Sequence, residues 1–191
     1  WLENLQPYID ADPKAANYND YMNACKKVTQ DSKTGDAVGL PVMTESGAVY
    51  YNKAMWADAG LTEDDYPETM DELYEIAGKL NNPEKGIAGF ACRGMANPAV
   101  TQFSGFLRAF GADFFDEKKN ATINTPEAVK AFKFYGKLLR DYGPEGILNM
   151  TWVETWSLFT QGKAAMRFDA NTNLGSWNPD DSAISLDNIG C

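Results

Sequence analysis

Apolar positions in this chain recur with two different periods, and their alternation predicts its elements. Tyr18, Tyr21, Met22, Cys25 and Val28 repeat at three and four, predicting a helix with one buried stripe. Leu73, Ile76, Ala77 and Leu80 do the same behind Thr69-x-x-Glu72, a capping box. Asn97-Pro98 opens a helix carrying Val100, Phe103, Leu107 and Phe110, with Gly111 as its stop. Thr125-Pro126 starts another, carrying Val129, Phe132, Tyr135, Leu138, Leu139 and Tyr142, and Thr151-x-x-Glu154 caps the last, with Val153, Trp156 and Phe159. Compact apolar runs read as strands: Val38 to Met43, Ala48 to Tyr51, Ile87 to Cys92 and Ala164 to Phe168. Asp113 to Asn124 reads as a small hairpin.

The stretch from Asp36 to Lys53 organises the rest. A strand interrupted by Pro41, and so confined to a sheet edge or strand end, leads through the turn Ser46-Gly47 into a second strand. Asn52 then caps a helix that Gly60 ends. Strands alternating with helices predict an α/β fold with mainly parallel sheets flanked by helices. In such sheets ligands meet the loops at the carboxyl ends of strands. That rule selects Thr44-Glu45-Ser46, Arg93-Gly94 and Asp169-Ala170-Asn171.

Composition narrows the function. A net charge of −10 over 191 residues argues against a nucleic-acid partner, which needs clustered Lys and Arg. No apolar run approaches the roughly 18 residues of a membrane span, and no signal-peptide pattern is present. Without His or a CxxC pair, and with acidic runs that lack EF-hand spacing, neither a metal nor another cofactor is expected. Cys25, on an apolar helix face, and Cys92, at a strand end, read as buried free thiols, a disulfide between them being the alternative. Both ends of the chain fall inside apparent elements, so an internal piece of a longer protein is expected.

Six stretches in order carry a family resemblance. Gly39-Leu40-Pro41 with Tyr51-Asn52-Lys53 resembles the crossover of the extracellular solute-binding proteins of sugar ABC transporters. Trp1 to Leu5, Thr69-Met70-Asp71-Glu72-Leu73, Gly111-Ala112-Asp113-Phe114-Phe115, Thr125-Pro126-Glu127-Ala128 and Phe159-x-x-Gly162-Lys163-Ala164-Ala165-Met166 are similar to other segments of that family. The resemblance implies a periplasmic-binding-protein-like fold of two α/β lobes closing on a solute. Residues 1–43 would belong to the first lobe and the hinge approach, and 44–191 to the second. It also implies a monomer, periplasmic or extracellular with or without a lipid anchor, that hands a carbohydrate or polyol to ABC permease subunits.

The candidate ligand-binding residues are Glu45, Arg93, Asp113, Trp152, Asp169 and Asn171. Glu45 lies where the family often places a carboxylate that accepts sugar hydroxyls, which a charged acceptor does well. Arg93 could offer vicinal hydroxyls a fork of donors, or make an ordinary salt bridge. Asp113 could reach solute or fix its own turn. Trp152, in the first turn of a capped helix, offers a face for a sugar ring, whereas Trp156 falls on the apolar stripe. Asp169 and Asn171 follow the last strand at the rim. Two alternatives stay open. One is a glycoside hydrolase pairing two of Glu45, Asp113, Glu154 and Asp169; the other is the same fold holding an organic cation such as a polyamine.

Overall fold

The structure, a computed structural model, describes residues 2–191. It divides into two compact units, Trp1–Glu45 and Ser46–Cys191. In the first, α1 (Gln6–Ala11), α2 (Pro13–Ala16) and α3 (Asn23–Val28) surround a small core of Ile9, Tyr18 and Ala37. Asp12 caps α2 by accepting from Ala15 N at 3.0 Å, with Pro13 in the first helical position.

Two expectations fail in this unit. The helix expected from Tyr18 to Val28 is broken, because Asn17 sits in the left-handed region (φ 43°) and Tyr18–Asp20 tightens into a 3-10 turn. Only Asn23–Val28 is α-helical, with Met22 and Val28 exposed and Cys25 half-buried. Val38 to Met43 forms no strand either. Val38 N donates to Thr29 O, but Pro41 has no N–H to give a ladder and Val42 points outward.

The second unit is built on a four-stranded sheet. In chain order its elements are β1 (Gly47–Asn52), α4 (Lys53–Asp58), α5 (Met70–Leu80), β2 (Ala88–Ala91), α6 (Ala96–Ala109), α7 (Pro126–Tyr142), α8 (Trp152–Thr160), β3 (Ala164–Ala170) and β4 (Ile189–Gly190). Strand order is β2-β3-β1-β4. The α/β expectation holds, but the sheet is mixed rather than mainly parallel. Only β2 and β3 run parallel; β1 is antiparallel to both β3 and β4.

Period two along each strand separates the faces. Tyr51, Phe90 and Met166 join Leu73, Ile76, Phe106 and Leu138 in the main core, under α5, α6 and α7. Tyr50, opposite Arg167 in the β1–β3 register, faces the other way and packs with Trp156 and Phe159 of α8. The hairpin expected between Asp113 and Asn124 reduces to one bridge, Phe115 to Ala121, with the Asp116 carboxylate accepting from Lys118 N and Asn120 N. Cys92 is buried and all three cysteines are free.

Both capping boxes form. The Glu72 carboxylate accepts from Thr69 N at 3.0 Å and Glu68 N at 2.9 Å, and Glu154 accepts from Thr151 N at 2.7 Å and Thr151 Oγ1 at 2.6 Å. Backbone donors hold the Glu72 carboxyl below its ordinary value, and the Thr151 hydroxyl and backbone do the same for Glu154. A carboxyl depressed by folding adds stability above its unfolded value and loses it as pH falls through the folded one. The melting temperature should therefore fall once pH drops below about 4.5, the ordinary glutamate value. The double variant Glu72→Gln, Glu154→Gln should melt lower at pH 7 and lose less on acidification. Parallel acid profiles for the two proteins would show that these caps do not carry the effect.

Candidate functional site

Strand polarity brings several sequence-distant groups to one end of the second unit. Because β2 and β3 are parallel, Arg93, two residues past β2, and Asp169, near the end of β3, emerge on the same side. β1 runs the other way, so its first residues stand there too, with Gly47 opposite Ala170 and Ala48 opposite Asp169. Ser46 N donates to Asn171 Oδ1 at 3.0 Å and Asn171 N to Ser46 O at 2.9 Å. The start of α8 is tied to the same rim. Met150 O accepts from Gly94 N and Met95 N, and Trp152 O accepts from Arg167 Nη2 at 3.2 Å.

An ionic cluster underlies this rim. Asp169 has no solvent exposure. Its Oδ2 accepts from Arg93 Nε at 3.0 Å and pairs with Arg167 Nη2 at 2.8 Å. Its Oδ1 accepts from Arg93 Nη2 at 2.5 Å, Gln102 Nε2 at 2.7 Å and Ala170 N at 2.8 Å. Arg167, also fully buried, donates to Thr155 Oγ1 at 3.3 Å and Asn173 Oδ1 at 2.6 Å and lies over the Trp156 ring, 5.4 Å from its centroid. Burial pulls the Arg167 guanidinium down to about 10 against the opposing pull of Asp169, so it stays charged at neutral pH. Two guanidiniums on one carboxylate leave the cluster with net positive charge, and Arg93 is the member that reaches solvent, its side chain 14% exposed. Tyr135 OH donates to Arg93 O at 2.5 Å, and burial pushes the adjacent Cys92 thiol up to about 12, keeping it protonated.

Of the expected site residues, Arg93, Trp152, Asp169 and Asn171 come together. Trp152 is 42% exposed, whereas Trp156 is core. Asn171 is exposed, its amide oxygen engaged by Ser46 N. Asp169, by contrast, is sealed beneath Arg93 with both oxygens engaged. Asp113 is not part of the group: the 14-residue α6, about 20 Å long, separates it from Arg93, and it accepts from Phe114 N and pairs with Arg108 at 3.6 Å. Glu45 closes the first unit and is exposed there.

The sequence reading missed Gln102, Thr155, Arg167 and Asn173, all buried. Arg167 and Asp169 did leave a signal, two charges at alternate positions inside an otherwise apolar strand. Gln102 left none. A separate depression of about 580 Å³, lined by Asn81, Ile87, Asp141 and Lys163 among others, lies where β2 begins, at the opposite end of that strand from Arg93.

A sequence model described as bacterial extracellular solute-binding protein matches residues 1–187. The mannitol-binding protein of Pseudomonas aeruginosa is 35% identical over 153 residues, covering 79% of this chain and 35% of that protein. Among solved structures, an Agrobacterium vitis ABC transporter solute-binding protein with bound D-mannitol matches at TM-score 0.84 and 30% identity, covering 100% of this chain and 45% of its own. An Agrobacterium radiobacter solute-binding protein in complex with ribitol matches at TM-score 0.87 and 26% identity, covering 100% and 47%. The chain thus spans between a third and a half of the length of these relatives.

Proposed function

The chain belongs to the bacterial extracellular solute-binding proteins, and from that premise we propose that it captures a sugar or sugar alcohol and delivers it to an ABC importer. In this reading residues 1–43 contribute to one lobe and the hinge approach, and 44–191 to most of the other. The family works outside the cytoplasmic membrane, in the periplasm or beyond; among the described residues no helix is long and apolar enough to cross a membrane. The permease subunits of the importer are the proposed partners.

One observation carries the reading: Arg93 with its donor fork, the 42% exposed Trp152 and the exposed Asn171 sit on segments that are tied together at the carboxyl end of the β2–β3 pair. Arg93 suits vicinal hydroxyl oxygens, the Trp152 face suits the apolar C–H surface of a polyol, and Asn171 adds amide donors. Relatives that bind mannitol and ribitol support that class. Glu45, an exposed carboxylate of the first unit, is proposed as an acceptor of hydrogen bonds from solute hydroxyls on its sequence position alone. A polyamine is disfavoured, since the ionic cluster presents a cation. Hydrolysis is disfavoured too. Asp169 is sealed, Glu154 is held in its capping box, and Asp113 lies at the far end of α6.

Calorimetric titration with D-mannitol, ribitol, maltose and spermidine tests the proposal. A hydroxylated solute should bind saturably, with little dependence on salt and no chemical change. Arg93→Ala should weaken that binding by roughly 1.5–3 kcal/mol, the worth of a hydrogen bond to a charged group. Binding of spermidine alone, steeply weakened by salt, would replace this reading with the cationic one.

A further inference from the structure

Resting on the solute-binding reading above, we propose that Gln102 and Arg167 are positioning residues that clamp the Asp169 carboxylate from opposite sides and so fix the pose of the Arg93 guanidinium before solute arrives. The two residues reach different oxygens. Gln102, on α6, donates to Oδ1 at 2.7 Å, and Arg167, two residues before Asp169 in β3, pairs with Oδ2 at 2.8 Å. Together they prevent the carboxylate from turning about its own bond. Arg93 straddles both oxygens, Nε on Oδ2 and Nη2 on Oδ1, a bidentate pairing that transmits the carboxylate plane to the guanidinium.

The clamp is anchored at each end. Arg167 is held by Thr155 and Asn173, and the Arg93 backbone by Tyr135 OH. Gln102, Arg167 and Asp169 are all buried, so a solute at the rim would meet Arg93 and not the groups behind it. An arginine on a flexible stem loses much rotamer freedom when it grips a ligand; one already immobilised loses little more. The structure thus assigns the affinity contributed by Arg93 partly to residues that no solute touches.

Two measurements test this on Gln102→Met and Arg167→Lys, which keep length and, for the second, charge. First, nitrogen-15 relaxation at the Arg93 Nε–H in solute-free protein should report a rigid side chain in the parent and a mobile one in each variant, with the amides of β2 and α6 unchanged. An Arg93 that stays rigid in both variants overturns the proposal. Second, if D-mannitol or ribitol binds the parent protein, each variant should weaken that binding about tenfold. In an Arg93→Ala background Gln102→Met should then cost nothing further, as expected of a residue acting through another. Losses that simply add would show that Gln102 does not act through Arg93. Should no hydroxylated solute bind the parent protein, the solute reading fails, while the relaxation result still decides whether the clamp exists.

Discussion

Asp169→Ala is expected to lower the unfolding free energy by about 3–5 kcal/mol, the cost of breaking a buried ion pair by removing one partner. The carboxylate has no exposure and neutralises Arg167, which has none either. Without it, a guanidinium remains sealed against Trp156, Thr155 and Asn173 with its charge uncompensated. Arg93 is less affected because it can swing toward water. For a chain of this size the melting temperature should drop by roughly 10 °C. The double replacement Arg167→Met, Asp169→Leu should recover much of that loss, since apolar side chains of similar volume often replace a buried ion pair at little cost. Urea unfolding of parent, single and double variants checks this. A double variant no more stable than Asp169→Ala would show that shape, rather than charge, holds the region together.

Gly89→Ala should cost about 3 kcal/mol, at the upper end for overpacking a core. A Cβ at Gly89 would fall inside the radius of the Ala77 carbonyl oxygen on α5 and press on Asn81. The obstacle is backbone, so no side-chain rotation relieves it. Asn81 Oδ1 also accepts from Gly89 N at 3.0 Å, and moving α5 away would sever that bond. Thermal unfolding measures the effect. Substituting Gly60, which is left-handed (φ 74°) but has open space around it, should cost only the conformational strain, by comparison a small loss. Equal losses at the two sites would contradict a steric cause at Gly89.

Much of the second unit was legible because its signals are local. Thr69 with Glu72, Thr151 with Glu154, and Asn52 ahead of Ala54 act within one turn, and each forms the cap its spacing implied. Strand existence was equally plain, but strand direction was not. β1 lies between β3 and β4 through pairings 115 to 139 residues apart, and nothing in Ala48 to Tyr51 encodes antiparallel neighbours. In the first unit the apolar stripe misled, because a left-handed Asn17 and the extended Tyr21 and Met22 split it. At the rim, Arg93 and Trp152 were readable from their places after a strand and at a helix start. Asp169 was found but given the wrong depth, since β3 continues two residues past Phe168 and carries the carboxylate under the surface. Gln102 was unreadable: one amide in an amphipathic helix carries no mark of a partner 67 residues away.

The threefold ionic cluster also constrains how this rim could drift over generations. Losing Arg167 first leaves Asp169 still matched by Arg93, a tolerable intermediate, whereas losing Asp169 first strands a sealed cation. Mutational routes from this rim toward an uncharged one are therefore ordered, and lineages that abandon it should shed the arginine of β3 before the aspartate.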